Sequence, residues 1–201
     1  LSVIEGNDPA ILLYEDLDFT HYSGTTELSH MPYSARFASQ NDRLPSGYQF
    51  RKTSFGEWRR RWELAQRITP ESIQGFYPIC REQFEWLPIL RWLGPLFYRW
   101  SKSRFIGIVV ETDDGCVVAT ADLTAQIDNS AANTLRVSVD PDHSEITPAL
   151  LTYCVDIFRG LSAEHMILMT VERWQEWVVE SAIEHGFSID YHQLRMGTRF
   201  P

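Results

Sequence analysis

The apolar and polar residues of the chain alternate with strand spacing in some stretches and with helix spacing in others. Every second residue is apolar in residues 133–139, which predicts a half-buried strand that ends at Asp140. Thr147 is a suitable N-cap and Pro148 a suitable first helical residue, so we expect a helix to follow at once. Such a junction directs free backbone N–H groups and the positive end of a helix dipole to one point, where a phosphate can bind. Other α/β proteins have the same junction and bind nothing there.

The strands on either side of this junction predict the fold class. Two β-rich runs, 104–112 and 116–127, are joined by the hairpin signal Asp-Asp-Gly at 113–115, and with the strand described above they form a three-strand antiparallel meander. After the helix, residues 165–171 are a continuous apolar run, typical of a buried strand parallel to its predecessor, and 188–200 form the last strand. The prediction is an α/β (α+β) mixed sheet: an antiparallel meander, then a βαβ unit, with flanking helices.

The beginning of the chain repeats the pattern of its end at an offset of 168 residues. A strand, a helix and a second strand occur in the same order and with the same lengths. The matched pairs are Leu1 and Met169, Asn7 and Gln175, Ala10 and Val178, Phe19 and Phe187, and Leu28 and Met196. We interpret this as an internal repeat.

A stretch without periodicity separates the opening repeat from the rest. Residues 33–47 are rich in Ser, Asn, Asp, Arg and Pro, which predicts a linker. Residues 1–32 are then a strand–helix–strand piece, and a second domain begins near Tyr48. We expect the first piece either to dock on the second domain or to make the chain a homodimer, because an unpaired strand edge tends to find another strand.

Composition and charge exclude several classes of function. The net charge of -9 and the pI near 5.1 disfavour a nucleic-acid partner or an anionic membrane. Prolines and arginines interrupt the aromatic segment 83–100, which argues against a membrane span. No cysteine or histidine has a partner at metal-ligand spacing, so no metal site is expected. We interpret the three arginines 59–61 as a solvated helix face rather than as a phosphate-binding patch.

The cysteines indicate the compartment. Cys80, Cys116 and Cys154 are odd in number, widely spaced and in apolar surroundings, which predicts buried thiols in a reducing, cytoplasmic setting. The chain has no signal peptide and begins with Leu1 rather than Met, so we expect a fragment or a processed protein.

The element order from Tyr48 onward resembles that of the GNAT superfamily of acyl-CoA N-acyltransferases. The opening NDPAILLYEDLDF is similar to the NxxAxxLYEKLGF segment of that family. The resemblance implies that residues 48–201 are a complete GNAT-like domain and that residues 1–32 are the last third of a preceding GNAT domain, which makes the parent protein a tandem. It also implies transfer of an acetyl group from acetyl-CoA to an amine, whose identity the sequence does not reveal.

The resemblance assigns roles to individual residues. Asn7 matches a cofactor-contacting Asn, and Tyr14 matches the Tyr that serves as general acid to the departing thiolate of CoA. In the second domain Val137 and Val139 border the pantetheine arm. The residues that surround the pyrophosphate are His143, Ser144, Glu145, Ile146 and Thr147.

The second domain departs from the family pattern at its cofactor loop. The family's pyrophosphate loop is glycine-rich, yet no glycine occurs between Gly115 and Gly160. Ala182 stands at the general-acid position, and no carboxylate precedes Val137 in its strand to act as base. His143 is a candidate base or an ordinary exposed loop residue. Two functions remain open: an N-acyltransferase with a degenerate second cofactor loop, or a non-catalytic GNAT-like module that binds a ligand or acts as a scaffold.

Overall fold

The computed structural model of the protein describes residues 1–31, 43–53, 56–85, 103–127, 131–162 and 164–198. The strands are β1 (Ser2–Ile4), β2 (Thr20–His30), β3 (Tyr48–Lys52), β4 (Ser103–Thr112), β5 (Val117–Gln126), β6 (Asn133–Val139), β7 (Ile167–Glu172) and β8 (Ser188–Gly197). The helices are α1 (Asp8–Glu15), α2 (Trp58–Ile68), α3 (Glu71–Gln74), α4 (Thr147–Ser162) and α5 (Glu176–Glu184). In the described ranges, 3-10 segments span Arg81–Gln83 and Pro141–Ile146.

The eight strands form one sheet in the order β1-β8-β2-β7-β6-β5-β4-β3. Strands β3 to β6 pair antiparallel in sequence order, and β6 pairs parallel to β7 across α4. The predicted mixed sheet, with an antiparallel meander followed by a βαβ unit, is confirmed. No helix in the described ranges is long and apolar enough to cross a membrane.

Helices cover both faces of the sheet, and the alternation along β4 shows which helix covers which face. Ile108 and Val110 belong to the large apolar core that also contains the buried side chains of α4 and α5. Val109, between them, points to the other face, where it packs with Leu64 and Ile68 of α2. Because side chains alternate along a strand, one run of β-branched residues supplies both layers.

The first 31 residues lie within this sheet, and their register has a local two-fold symmetry. Strand β2 is inserted between β7 and β8, while β1 pairs with the outer side of β8. Val3 pairs with Leu194, and the residues 168 positions away from these two, Val171 and Thr26, also pair with each other. The other two β1–β8 pairs have their equivalents between β7 and β2 in the same way. The internal repeat is therefore confirmed by strand register, and the two copies face each other across the β2–β8 seam.

Several local predictions differ from the structure. Thr147 has helical backbone angles and is the first residue of α4 rather than its N-cap, because the Pro141–Ile146 segment leads directly into the helix. Of the cysteines only Cys154 is buried, and burial raises the pKa of its thiol; Cys80 and Cys116 are exposed.

The arginine run is also not a purely solvated face. Arg60 donates to Glu111 of β4 at 2.6 Å, and Arg61 forms an ion pair with Asp122 of β5. These pairs hold α2 on the sheet. Most of the predicted linker and most of the aromatic segment 83–100 lie outside the described residues.

Candidate functional site

The strands β6 and β7 diverge at the point where the sequence predicts a cofactor site. They pair from Asn133 with Ile167 to Arg136 with Thr170, and β6 then continues unpaired on this side to Val139. Such a gap exposes the backbone N–H groups of β6 to any group that enters it. Val137 and Val139, assigned to the pantetheine arm, are both buried at this gap.

The protein fills this gap with one of its own side chains. Gln175, fully buried at the N-terminus of α5, accepts a hydrogen bond from the N–H of Val139 through Oε1, with a donor–acceptor distance of 2.9 Å. Gln175 is the residue that the repeat aligns with Asn7. Its side chain therefore occupies the backbone donor beside the residues that the resemblance assigns to the pantetheine arm.

The turn after β6 carries its own anion. Asp140 accepts the N–H of Asp142 through Oδ1 at 3.1 Å, and its Oδ2 accepts Nε of Arg67 at 2.8 Å. The N-cap role predicted for Thr147 thus falls to Asp140, a carboxylate that occupies a backbone donor at the place where a phosphate would bind. The N–H of Asp142 is therefore not available to a phosphate.

The remaining predicted phosphate-binding residues are engaged with each other. Ile146 and Thr147 are buried, and the Thr147 hydroxyl donates to the carbonyl of Ser144 at 2.7 Å. Tyr48 of β3 donates its phenol proton to Oε1 of Glu145 at 2.6 Å. Because a phenol has one proton, the contact of 2.7 Å between Tyr48 Oη and Nδ1 of His143 has the imidazole N–H as donor.

These contacts shift two pKa values. The hydrogen bond to Glu145 is the largest cause that raises the pKa of Tyr48 to about 12, and the same bond lowers the pKa of Glu145. The groups at the turn are the carboxylate of Glu145, the phenol of Tyr48 and the imidazole of His143. They do not resemble the free backbone N–H groups that bind a phosphate. The C-terminal half therefore does not fit a CoA pyrophosphate.

Replacing Tyr48 with Phe is expected to remove one tyrosinate transition near pH 12 from an ultraviolet titration. The pKa of Tyr48 in the folded protein lies above the ordinary tyrosine value of 10.0, so the hydrogen bond stabilises the fold below pH 10 and this contribution is lost as the pH rises toward 12. A variant that instead loses a transition near pH 10 would contradict the contact with Glu145.

The N-terminal group of predicted residues lies elsewhere. Asn7 is exposed at the start of α1 and makes no side-chain capping bond. Tyr14 is half-buried, with its ring centroid 6.1 Å from that of Phe19, and its hydroxyl has no hydrogen-bond partner among the described residues. Their counterparts in the repeat, Gln175 and Ala182, are both buried. Asn7 and Tyr14 differ from them because each has a polar group that solvent can reach.

The two groups of site residues lie at opposite ends of the strands. Three successive antiparallel pairings, β1 with β8, β8 with β2 and β2 with β7, make β1 antiparallel to β7 and hence to β6. Asn7 follows the end of β1, whereas the turn at Asp140 follows the end of β6. The structure therefore brings together Val137, Val139 and the turn at 140–147, but not Asn7 or Tyr14 with them.

Sequence reasoning missed the residues that close the second site. Gln175 and Tyr48 each contact a predicted site residue from a distant part of the chain, and Arg67 contacts Asp140 at the start of the same turn. The one available signal was the alignment of Gln175 with Asn7, since a longer amide at the same position reaches farther. Among the described residues no group of three His, Cys, Asp or Glu side chains is arranged to hold a metal ion.

The chain is similar to known proteins in structure but not in sequence. No protein-family model and no curated protein matches the chain. A tandem GNAT protein from the clavulanic acid biosynthesis pathway is similar over 100% of this chain and 63% of its own, with a TM-score of 0.61 and 11% identity.

Two further solved structures are similar over nearly the whole chain. A GCN5-related N-acetyltransferase from Sphaerobacter thermophilus matches 97% of this chain and 57% of its own, with a TM-score of 0.53 and 14% identity. A protein of unknown function from Staphylococcus epidermidis matches 100% of this chain and 70% of its own, with a TM-score of 0.58 and 8% identity. The chain thus spans about 57% to 70% of the lengths of these three proteins. With the gap between β6 and β7 and the order of the strands, these likenesses show that the chain has the fold of the GNAT superfamily.

Proposed function

We propose that this chain is part of an acyl-CoA-dependent N-acyltransferase, and that its catalytic groups are those of the N-terminal strand–helix–strand unit. The C-terminal half is then a non-catalytic copy of the fold that holds this unit in place. We call it closed because its own side chains occupy the gap after β6 and the turn that follows. The observation that carries the proposal is the contrast between the two copies. Oε1 of Gln175 accepts the N–H of Val139, whereas the polar side-chain groups of Asn7 and Tyr14 make no such hydrogen bond within the described residues.

The chemistry of the N-terminal unit fits this role. Acetyl-CoA supplies an activated acyl group, which an amine nitrogen attacks as the carbon–sulfur bond breaks. Tyr14 gives its phenol proton to the departing sulfur, and the attacking nitrogen loses a proton to solvent. Tyr14 then regains a proton from solvent, so the reaction is balanced. Asn7, at the end of β1 beside the start of α1, positions the cofactor through its amide.

The second candidate is that the whole chain is a non-catalytic GNAT-like module for a ligand or a partner. The closed turn favours it, because Asp140 and Glu145 place two carboxylates where the pyrophosphate would lie. The two candidates differ only in the role of the N-terminal unit.

An assay of CoA thiol release separates the two candidates. The protein, including whatever its gene encodes on either side of this chain, is incubated with acetyl-CoA and a panel of primary amines. Amine-dependent release that persists when His143 is changed to Ala supports catalysis by the N-terminal unit. No release with any amine favours the non-catalytic module, and release that requires His143 assigns the chemistry to the C-terminal half.

A further inference from the structure

The helix α1 presents large apolar side chains to solvent. It buries none of its residues, and Leu12 and Leu13 are 60% and 57% exposed. Leu17 just after the helix and Ile4 just before it are also more than half exposed. Removing such a cluster from water is favourable, so an apolar patch of this kind marks an interaction surface.

The repeat shows which of these side chains should be covered. The counterpart of Leu13 is Ser181 and that of Leu17 is His185, and both counterparts are buried. They are buried because α5 packs against α4 and β6. The counterpart of Leu12 is Glu180, which is exposed. Leu13 and Leu17 therefore lie on the face that the fold normally covers, and Leu12 does not.

The neighbouring strand has an open edge that matches. Strand β7 has the parallel strand β6 on the side away from β2, whereas β1, its counterpart, ends the sheet. In the second copy Met169 and Thr170 are among the residues paired with β6. Their counterparts are Leu1 and Ser2, so a parallel strand would pair with β1 at these two residues.

We propose that the open side of β1 and α1 is covered by a second GNAT-like half that precedes Leu1 in the same polypeptide. It supplies a strand parallel to β1 and a helix that packs on Leu13 and Leu17. The order follows from the repeat, because β6 and α4 come before β7 along the chain. The three similar solved structures are each longer than the region that this chain matches, which leaves room for such a half.

A second copy of this chain fits the surface less well. Residues 1–19 contain five acidic side chains and no basic one, so two such faces would bring like charges together. The β6 and α4 of a second copy are moreover already covered by its own β7 and α5. The partner half is instead expected to have an apolar centre with a basic rim.

Covering this surface would also form a cofactor gap beside β1. This consequence rests on the proposed function. Gln175 spans the gap between β6 and β7, whereas Asn7 is one methylene shorter. The corresponding gap between β1 and the added strand would stay open, with Asn7 and Tyr14 at its border.

Hydrogen exchange tests the surface without any assay of activity. The 201-residue chain is compared with the same chain extended by the polypeptide that its gene encodes before Leu1. In the short chain the amides of α1 are expected to exchange at least about tenfold faster than those of α5, because their helix has no cover. In the extended protein they are expected to slow to the rate of α5.

The adjacent leucines provide matched variants. In the extended protein Leu13→Lys should restore fast exchange of α1, whereas Leu12→Lys should leave exchange unchanged. The proposal is overturned if the extension leaves α1 unprotected, or if both variants behave alike. It is also overturned if sedimentation shows that the short chain dimerises through α1, or if the gene encodes fewer residues before Leu1 than β6 to α4 contain. These results concern protection alone, so an inactive but protected protein would refute the proposed function and not this interface.

Discussion

Replacing Tyr14 with Phe is expected to lower the rate of acyl transfer by about 10² to 10⁴-fold, the usual contribution of a positioned general acid. The change removes one hydroxyl and leaves the ring that packs near Phe19. Transfer is measured as release of CoA thiol at saturating acetyl-CoA over a range of amine concentrations. We expect kcat to fall and the KM for the amine to change little, because the proton is needed only as the carbon–sulfur bond breaks.

Tyr48→Phe is the matched control for this variant. Tyr48 lies in the closed turn of the C-terminal half, where its hydroxyl donates to Glu145. Its replacement should leave kcat within about twofold of the original, since the account gives that half no catalytic role. Equal losses in both variants, or full activity of Tyr14→Phe, would show that Tyr14 is not the acid.

Replacing Gly24 with Ala is expected to destabilise the fold by about 1 to 3 kcal/mol, the usual cost of overpacking. Gly24 lies in the seam between β2 and β8, where an added Cβ would be 2.3 Å from the carbonyl oxygen of Gln193. That oxygen belongs to the backbone, so the two strands must separate to make room. Urea unfolding of the 201-residue chain measures the loss.

Gly160→Ala is the matched control for the seam. An added Cβ at Gly160, in the last turns of α4, would meet no atom within 4 Å other than its chain neighbours and the backbone of its own helix. Since alanine is the better helix former, we expect this change to stabilise the protein by about 0.5 to 1 kcal/mol. A Gly24→Ala variant as stable as the original chain would mean that β2 does not lie against β8 in the way the structure has it.

The sheet was predictable because its signals are local. The meander follows from alternating apolar residues and from the Asp-Asp-Gly turn, where Gly115 has a φ of 81°. The repeat was visible because each copy keeps the same strand–helix–strand spacing. Neither pattern contains the information that β2 lies between β7 and β8, since strand order depends on contacts between distant segments.

The closure of the second site could not be read from local patterns. Tyr48 and Glu145 are 97 positions apart, and Arg67 and Asp140 are 73 apart. The missing glycines in the turn did indicate a poor phosphate site. They did not reveal that the protein itself supplies the groups that fill it. The exposure of Cys80 and Cys116 was missed for a similar reason, because apolar neighbours in sequence need not be neighbours in space.

Isothermal titration of the 201-residue chain with acetyl-CoA tests the central claim, which is that the C-terminal half is a closed copy of the fold. Because Gln175 and Asp140 occupy backbone donors at the gap and the turn, we expect no heat of binding up to millimolar acetyl-CoA, with acetyl-pantetheine as the phosphate-free comparison. Micromolar binding of acetyl-CoA that acetyl-pantetheine does not reproduce, and that is lost in a Glu145→Trp variant, would show that the turn still binds the pyrophosphate. That result would contradict the account.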